Sequence, residues 1–282
     1  MKRNKPMALA ALCCFSLLAG CGQNAAAGTA PAAGQSQPPA PEGQSFSIED
    51  RLETGSFTIT YTAPESGEET QYLFGEYDYR LPRMVPADEA GAGVVKAAEV
   101  FNAKVNDYLQ KSLAAMKEAA DFEQQEPLGP HQPYSDEAGY QLYQTPNLIS
   151  VQVNFGSYYG GAHPNHASLS WLFDVENAQF ITPLDLAADP EAMETAITEE
   201  ILAQIQQKEL AEGLWPEYQD IAAGWAGQSG ANASFIHGEG LTLTFSPYTL
   251  ASYAAGDQIF EIPSAIYQPL LSDYGLSLLQ LN

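Results

Sequence analysis

The chain has 282 residues, of which 35 are acidic and 11 are lysine or arginine, so its formal net charge at pH 7 is −24. This balance argues against a nucleic-acid-binding protein and against attachment through anionic lipid head groups, because both surfaces would repel the chain. The hydrophobic fraction of 45%, with 15 tyrosines, 12 phenylalanines and 3 tryptophans, is sufficient for a packed globular core.

The first twenty residues have the pattern of a targeting segment. Three cations lie within the first five residues, and the apolar run Met7–Ala19 is shorter than the roughly 20 residues that a helix needs to span a bilayer. The run ends in Leu-Ala-Gly-Cys at residues 18–21, which resembles the lipobox of bacterial lipoproteins. This resemblance implies a signal peptide at residues 1–20, a diacylglycerol on Cys21, and a head facing outside the cytoplasm at the cell membrane. An ordinary secretory signal with an incidental cysteine is the alternative.

The mature chain that this pattern predicts has one cysteine and a polar linker. Cys13 and Cys14 leave with the signal peptide, so neither a disulfide nor a cysteine-based zinc site can form. Residues 22–45 contain no aromatic residue and no aliphatic residue larger than alanine, which predicts a disordered linker at 21–45. Without the first twenty residues, eight cations remain against 35 acidic residues, a formal charge of −27.

Alternating apolar and polar residues predict two strands at the start of the head. Phe57, Ile59 and Tyr61 alternate with threonine, and extended structure resumes over residues 71–81 after a turn at 63–67. From Val94 to Met116 the apolar residues recur at three- and four-residue steps, which predicts an amphipathic helix of about 25 residues.

The remaining sequence predicts further strands and a second long helix. This helix begins at Pro190, and its apolar stripe is Met193, Ile197, Ile201 and Ile205. Strands are expected at residues 140–143, 148–155, 168–175 and 258–262, with a hairpin at 235–245 and a short closing helix at 266–271.

Strands joined by short turns, with two long helices between groups of strands, indicate an α+β fold. We predict antiparallel sheets with two long amphipathic helices after the disordered linker. The expected division is an N-terminal α+β half at residues 46–156 and a C-terminal α+β half at residues 157–282.

A glycine-rich corner at residues 158–165, with the sequence Tyr-Tyr-Gly-Gly-Ala-His-Pro-Asn, is the first candidate site. Gly160 and Gly161 allow positive φ, and Pro164 favours a turn with His163 extended before it. The spacing of His163 and His166 would suit a metal on a helix, but the intervening proline favours a structural corner without metal. A ligand-contacting loop is the other alternative, with the candidate residues Tyr158, Tyr159, His163 and Asn165.

The same corner resembles the Gly-Gly-Ala-His-Pro signature of an extracytoplasmic domain family, mostly of unknown function, that includes RsiV-like and PdaC-like domains. Three further stretches resemble this family, at residues 173–186, 243–248 and 253–263. The resemblance covers about residues 46–271. It implies a PdaC-like first half and an RsiV-like second half.

The sequence departs from the whole proteins of that family. RsiV-like proteins carry a cytoplasmic segment and a transmembrane helix, whereas this chain has a lipobox. PdaC-like enzymes carry a polysaccharide deacetylase domain with an acidic metal-binding motif and a His-x-x-x-His pair, which we do not find. The resemblance therefore implies the accessory domain alone, and we expect no catalytic residues, metal or cofactor.

Other polar and aromatic groups have simpler structural interpretations. The segment 227–231 differs by one residue from a nucleophile elbow but lacks the flanking strand. His131 and His237 have no spaced partners, and the acidic residues Glu123, Glu126, Asp136 and Glu137 are expected to form a solvated face. The aromatic stripe from Leu214 to Trp225 favours core packing over a sugar-stacking platform.

These observations lead to a first hypothesis of a non-enzymatic surface lipoprotein whose head binds a protein or a cell-wall component. RsiV-like domains bind lysozyme, which is basic, so the resemblance and the acidic charge both favour a lysozyme-type hydrolase as ligand. Two alternatives stay open: an accessory of envelope-stress signalling or peptidoglycan modification that acts through a membrane partner, and an independent hydrolase.

The lipobox interpretation predicts that Cys21→Ala releases the protein from the membrane fraction or leaves an unprocessed precursor, because the only thiol available for acylation is lost. Cell fractionation and gel mobility measure both effects. Cys14→Ala, within the apolar run, is the matched control and should change neither. Unchanged attachment and mobility in Cys21→Ala would show that no lipobox operates here.

Overall fold

The protein is described here from a computed structural model that covers residues 45–126, 128–227, 230–236 and 240–281. The predicted signal peptide, Cys21 and nearly all of the predicted linker lie outside these residues. Within them the fold is α+β, as predicted, with nine strands and five α-helices. None of the helices in these ranges combines the length and the apolar character that crossing a membrane requires.

The larger of two sheets contains six strands, which lie side by side in chain order. The strands are β1 (Phe46–Thr62), β2 (Glu69–Pro86), β3 (Tyr134–Gln144), β4 (Leu148–Tyr158), β5 (Asn165–Asp174) and β6 (Gln179–Ile181). All neighbours are antiparallel except β2 and β3, which are parallel. The sheet is therefore mixed rather than wholly antiparallel, because the long helix between β2 and β3 returns the chain to the same end of the sheet.

The long helix, α1 (Ala92–Gln125), has 34 residues and is longer than predicted. Its apolar stripe packs on one face of the sheet, where Phe101, Val105 and Leu109 share a core with Ile149 and Val151 of β4. The predicted period ended at Met116, but the helix continues for more than two turns because Ala120 and Glu123 are also buried on this side.

The smaller sheet and the remaining helices form a second core. Its antiparallel strands are β7 (Asn232–Ser234), β8 (Leu241–Phe245) and β9 (Gln258–Ile262), and its helices are α2 (Pro190–Gln207), α3 (Tyr218–Ala223), α4 (Ser264–Tyr267) and α5 (Asp273–Leu279). Pro190 is the first residue of α2, and the Asp189 side chain caps it by accepting from the N–H groups of Glu191 and Ala192. The four predicted residues of the α2 stripe are all buried, and Trp225 is 1% exposed within the same core, as expected for core packing.

The two sheets meet across β4 and β5. The Asn232 amide donates to the Ser168 carbonyl at 2.6 Å, and the Phe235 N–H donates to Ser150 Oγ at 2.8 Å. The predicted division at residues 156 and 157 lies within β4, and β5 and β6 extend the same six-stranded sheet. The division of the head into these two halves stays a prediction.

Candidate functional site

The candidate loop at residues 158–165, which we call the His163 loop, connects β4 and β5. Gly160 and Gly161 have φ values of 82° and 101°, the positive values that the glycine pair predicted. The Tyr158 hydroxyl, at the end of β4, donates to the Gly161 carbonyl at 3.3 Å and spans the turn. Asn165 is the first residue of β5 and lies opposite Ser157. The loop is therefore a tight connection held between two long strands.

The loop is braced by Tyr253, which lies almost ninety residues further along the chain in a short 3-10 turn at Tyr253–Ala255. The His163 ring stacks on the Tyr253 ring, with centroids 4.0 Å apart and planes inclined by 16°. The Tyr253 hydroxyl donates to the Pro164 carbonyl, which also lies 2.9 Å from His163 Nδ1. The Pro164 carbonyl oxygen is therefore close to both the His163 imidazole and the Tyr253 hydroxyl. His163 itself remains exposed to solvent.

His166 contacts the same tyrosine from the other side. Its Nδ1 lies 3.3 Å from the Tyr253 hydroxyl oxygen, and its Nε2 lies 3.7 Å from Asp257 Oδ1. Burial raises the pKa of the Asp257 carboxyl, and the neighbouring His166 acts in the opposite direction. Among the described residues no three histidine, cysteine, aspartate or glutamate side chains are grouped so that they could hold a metal ion. His163 of the loop and His166 of β5 both pack against Tyr253.

Tyr159 points away from Tyr253, toward a largely buried carboxylate on β3. Its hydroxyl donates to Asp136 Oδ2 at 3.3 Å, and the Tyr79 hydroxyl donates to the same oxygen at 2.8 Å. Burial raises the pKa of Asp136, although both of these hydrogen bonds act to lower it. The Asp136 field and burial also raise the pKa of Tyr108, to about 12, with burial as the larger cause.

A second buried carboxylate, Glu123 near the end of α1, corrects two sequence predictions. Glu123 was expected on a solvated face, but it is 4% exposed. His131 was expected to have no partner, but its Nε2 lies 2.9 Å from Glu123 Oε1, which also accepts from the Tyr72 hydroxyl at 2.5 Å. The Tyr134 ring stacks on His131 at 4.6 Å and lies 5.6 Å from the Tyr159 ring. A continuous row of polar aromatic groups therefore joins Glu123 to the His163 loop.

This arrangement offers ring faces and hydrogen-bonding groups rather than an assembled nucleophile. Tyr79 and Tyr159 both donate to Oδ2 of Asp136, and the His163 ring is stacked and exposed. Ser229 of the elbow-like segment and His237 lie outside the described residues. The geometry suits recognition of a partner by a preformed surface, because the loop is fixed from both cores before any ligand arrives.

Comparison with known proteins gives two family matches, and the first of them ends just after this loop. Residues 74–166 match the family described as Deacetylase PdaC, and residues 185–265 match the family described as Protein of unknown function (DUF3298). The His163 loop belongs to the first match, whereas Tyr253 and Asp257 belong to the second. The contacts described above therefore connect the two matched regions. No curated protein matches this chain.

The solved structures that are similar to this chain include two members of the DUF3298 family. A member of the DUF3298 family from Bacteroides fragilis is 16% identical, with a TM-score of 0.56, and the alignment covers 83% of this chain and 99% of that one. A DUF3298 family protein from Pseudomonas aeruginosa is 15% identical, with a TM-score of 0.43, and the alignment covers 80% of this chain and 97% of that one. The first similarity shows that the fold is shared.

The backbone of the His163 loop predicts a large effect of Gly161→Val. A β-branched residue at a φ of 101° is strained even in open space, so we expect the free energy of unfolding to fall by more than about 1 kcal/mol. Urea denaturation of the full-length protein measures this. Gly139→Val is the matched control: its added side chain also meets open space, but in strand β3 at a φ that needs no glycine, so it should be tolerated. Equal effects at the two positions would contradict the conformational explanation.

The Asp136 cluster predicts a pH-dependent effect of Tyr79→Phe. Loss of the Tyr79 hydroxyl leaves a buried carboxylate with one donor fewer, which we expect to cost about 1–3 kcal/mol of unfolding free energy at pH 7. The loss also raises the pKa of Asp136 further. The folded variant therefore takes up a proton at higher pH than the unfolded chain, and the destabilisation should fade as the pH falls through that pKa.

Denaturant unfolding at several pH values between 7 and 4 tests this dependence. Tyr77→Phe is the matched control, because Tyr77 stacks on Tyr79 in the same strand but makes no hydrogen bond to Asp136. It should show little effect at any pH. A Tyr79→Phe destabilisation that stays constant over the range would mean that Asp136 is not the group affected.

Proposed function

We propose that this chain, a member of the PdaC-like/DUF3298 domain family of unknown function, is a lipid-anchored extracytoplasmic binding protein. Its role is binding rather than catalysis, and its partner is a basic protein, with a lysozyme-type hydrolase as the candidate. The observation that carries this proposal is the His163 loop, which is exposed and yet fixed by Tyr253 from the other matched region. Such a preformed surface loses little conformational entropy on binding.

The charge of the head supports a basic partner. Residues 127–282, which contain the His163 loop and the whole DUF3298 match, have 18 acidic residues and one basic residue, Lys208. A surface of one sign speeds the association of an oppositely charged protein, and salt screens this effect. The acidic groups thus supply attraction at a distance, and the loop supplies contacts that salt does not remove.

The anchor supports a role close to the outer side of the membrane. The Leu-Ala-Gly-Cys sequence before the linker resembles a lipobox, and the linker of 24 residues after Cys21 has the composition of a flexible chain with a span of about 27 Å. A head held in this way would meet soluble proteins that reach the cell surface.

Binding to lysozyme and to cytochrome c, two basic proteins, tests the proposal. In surface plasmon resonance with the full-length protein, we expect lysozyme to bind more tightly than cytochrome c at 0.15 M salt and to keep measurable affinity at 1 M salt. The Debye length falls from about 8 Å to about 3 Å over this range, so attraction by charge alone would be lost. Equal binding of the two proteins at 0.15 M would exclude recognition of lysozyme.

The loop's contribution is tested with His163→Ala. Loss of a central contact residue should weaken lysozyme binding at least about fivefold at 0.15 M salt, with little change in the association rate. His131→Ala removes an imidazole that packs against Glu123 outside the loop, and it is the matched control for binding. If both variants bind lysozyme like the unaltered protein, the His163 loop is not the contact surface.

A further inference from the structure

A small cavity lies on the other side of the head, between the β1–β2 pair and α1. Its volume is about 230 Å³, and it is lined by Arg51, Pro82, Arg83, Asn102 and Val105. Pro82 and Val105 contribute apolar atoms to the lining but are themselves buried, whereas Arg51 is partly exposed and Arg83 is exposed. We call this cavity the arginine pocket. It is separate from the His163 loop and does not depend on the function proposed above.

The strand register brings the two arginines together. Arg51 of β1 pairs with Leu81 of β2, so Arg83, two residues further on, is the diagonal neighbour of Arg51 on the same face of the pair. Long side chains can reach each other at this spacing, so the two guanidinium groups can act on one ligand. A chain with so few cations therefore places two of them at the mouth of one cavity.

Both arginines of the pocket keep guanidinium N–H donors that are available to a ligand. The Arg83 side chain makes no hydrogen bond or ion pair with the described residues. Arg51 donates to Asn106 Oδ1 at 3.2 Å, and its distance to Glu53 is 4.0 Å, at the limit of an ion pair. Arg80, by contrast, is held by Asp50 at 2.7 Å on the same strands.

The wall of the pocket is held in place by Asn102. Its side-chain oxygen accepts from the Met84 N–H at 2.9 Å, and its amide donates to the Met84 carbonyl at 2.8 Å. This double hydrogen bond fixes α1 against β2 directly beside Arg83. The pocket is thus formed before a ligand binds.

We propose that the arginine pocket binds a small monocarboxylate with a compact apolar body. The planar guanidinium group matches a carboxylate with two parallel hydrogen bonds, and the walls of Pro82 and Val105 suit an apolar group. The cavity is below the size range of drug-sized ligands, which favours a compact molecule. The negative charge of the whole chain repels a dianion such as phosphate more strongly than a monoanion.

Glu49 provides a second test residue for the arginine pocket. It lies opposite Arg83 in the strand register, on the same face, without forming an ion pair to it. A carboxylate at this position competes with a bound anion for the Arg83 guanidinium. Neutralising it should therefore strengthen binding, whereas neutralising Arg83 should weaken binding.

Titrations of the ¹⁵N-labelled full-length protein, at pH 7 and constant ionic strength, test the pocket with three probes. Isobutyrate should cause saturable amide shifts in residues 49–53 and in residues 81, 83 and 84. Isobutyramide, which has the same shape without the charge, should cause none, and inorganic phosphate should bind at least tenfold more weakly than isobutyrate. Equal shifts with isobutyramide would overturn the proposal, and tighter binding of phosphate would overturn its monocarboxylate selectivity.

Three substitutions complete the test. Arg83→Gln should weaken isobutyrate binding at least tenfold, and Glu49→Gln should strengthen it severalfold. Lys111→Gln is the matched control, because it removes one positive charge from an exposed position of α1 where Lys111 pairs with Asp107 outside the pocket. Its affinity for isobutyrate should stay within twofold of the unaltered protein. An unchanged affinity in Arg83→Gln, or an equal loss in Lys111→Gln, would show that the pocket does not bind the anion.

Discussion

The burial of β4 on both faces is the constraint on which the rest of the structure depends. On one face Ile149, Val151 and Val153 pack under α1, and on the other face Leu148 belongs to the core of α2 and the smaller sheet. The next two residues of that second face are the polar and buried Ser150 and Gln152. Each is satisfied by the smaller sheet: the Phe235 N–H donates to Ser150, and the Ser234 hydroxyl donates to Gln152 at 3.1 Å. A buried polar group without such a partner is costly, so these bonds fix how the two sheets dock. The same docking brings Tyr253 to the His163 loop.

Periodicity predicted the elements well where one face of an element is apolar and the other is polar. The α2 stripe and strand β9 were found at their predicted residues, because local spacing alone determines which face is buried. The parallel pairing of β2 with β3 was not predicted, since the choice of neighbour depends on where α1 returns the chain. The second, polar face of β4 was missed for a related reason. Ser150 and Gln152 look like solvent-facing residues until the smaller sheet covers them.

For the candidate site, the sequence predicted the backbone conformation of the loop but not the contacts of its side chains. The two glycines indicated positive φ at the corner, but the partner of His163 lies almost ninety residues away and no local pattern marks it. The burial of Glu123, by contrast, could have been predicted from the spacing of residues in the sequence. Met116, Ala120 and Glu123 follow one another at steps of four and three residues, so the apolar stripe of α1 continues through the carboxylate. The neighbouring acidic residues Glu126, Asp136 and Glu137 mask this signal, because together with Glu123 they have the pattern of one solvated group.

Three buried or partly buried carboxylates accept hydrogen bonds from tyrosine hydroxyls, and this affects the net charge of the head. Glu123 accepts from Tyr72, Asp136 from Tyr79 and Tyr159, and the fully buried Asp174 from Tyr274 and from Asn177 at 2.7 Å. Tyrosine hydroxyls are neutral donors on apolar rings, so they can be buried at much lower cost than lysine or arginine. A chain with 35 acidic and 11 basic residues thereby satisfies its interior without placing its few cations there. Within the part of the chain that the structure describes, no lysine or arginine is paired with these three carboxylates. The negative field that the proposed basic partner would experience is therefore left largely intact.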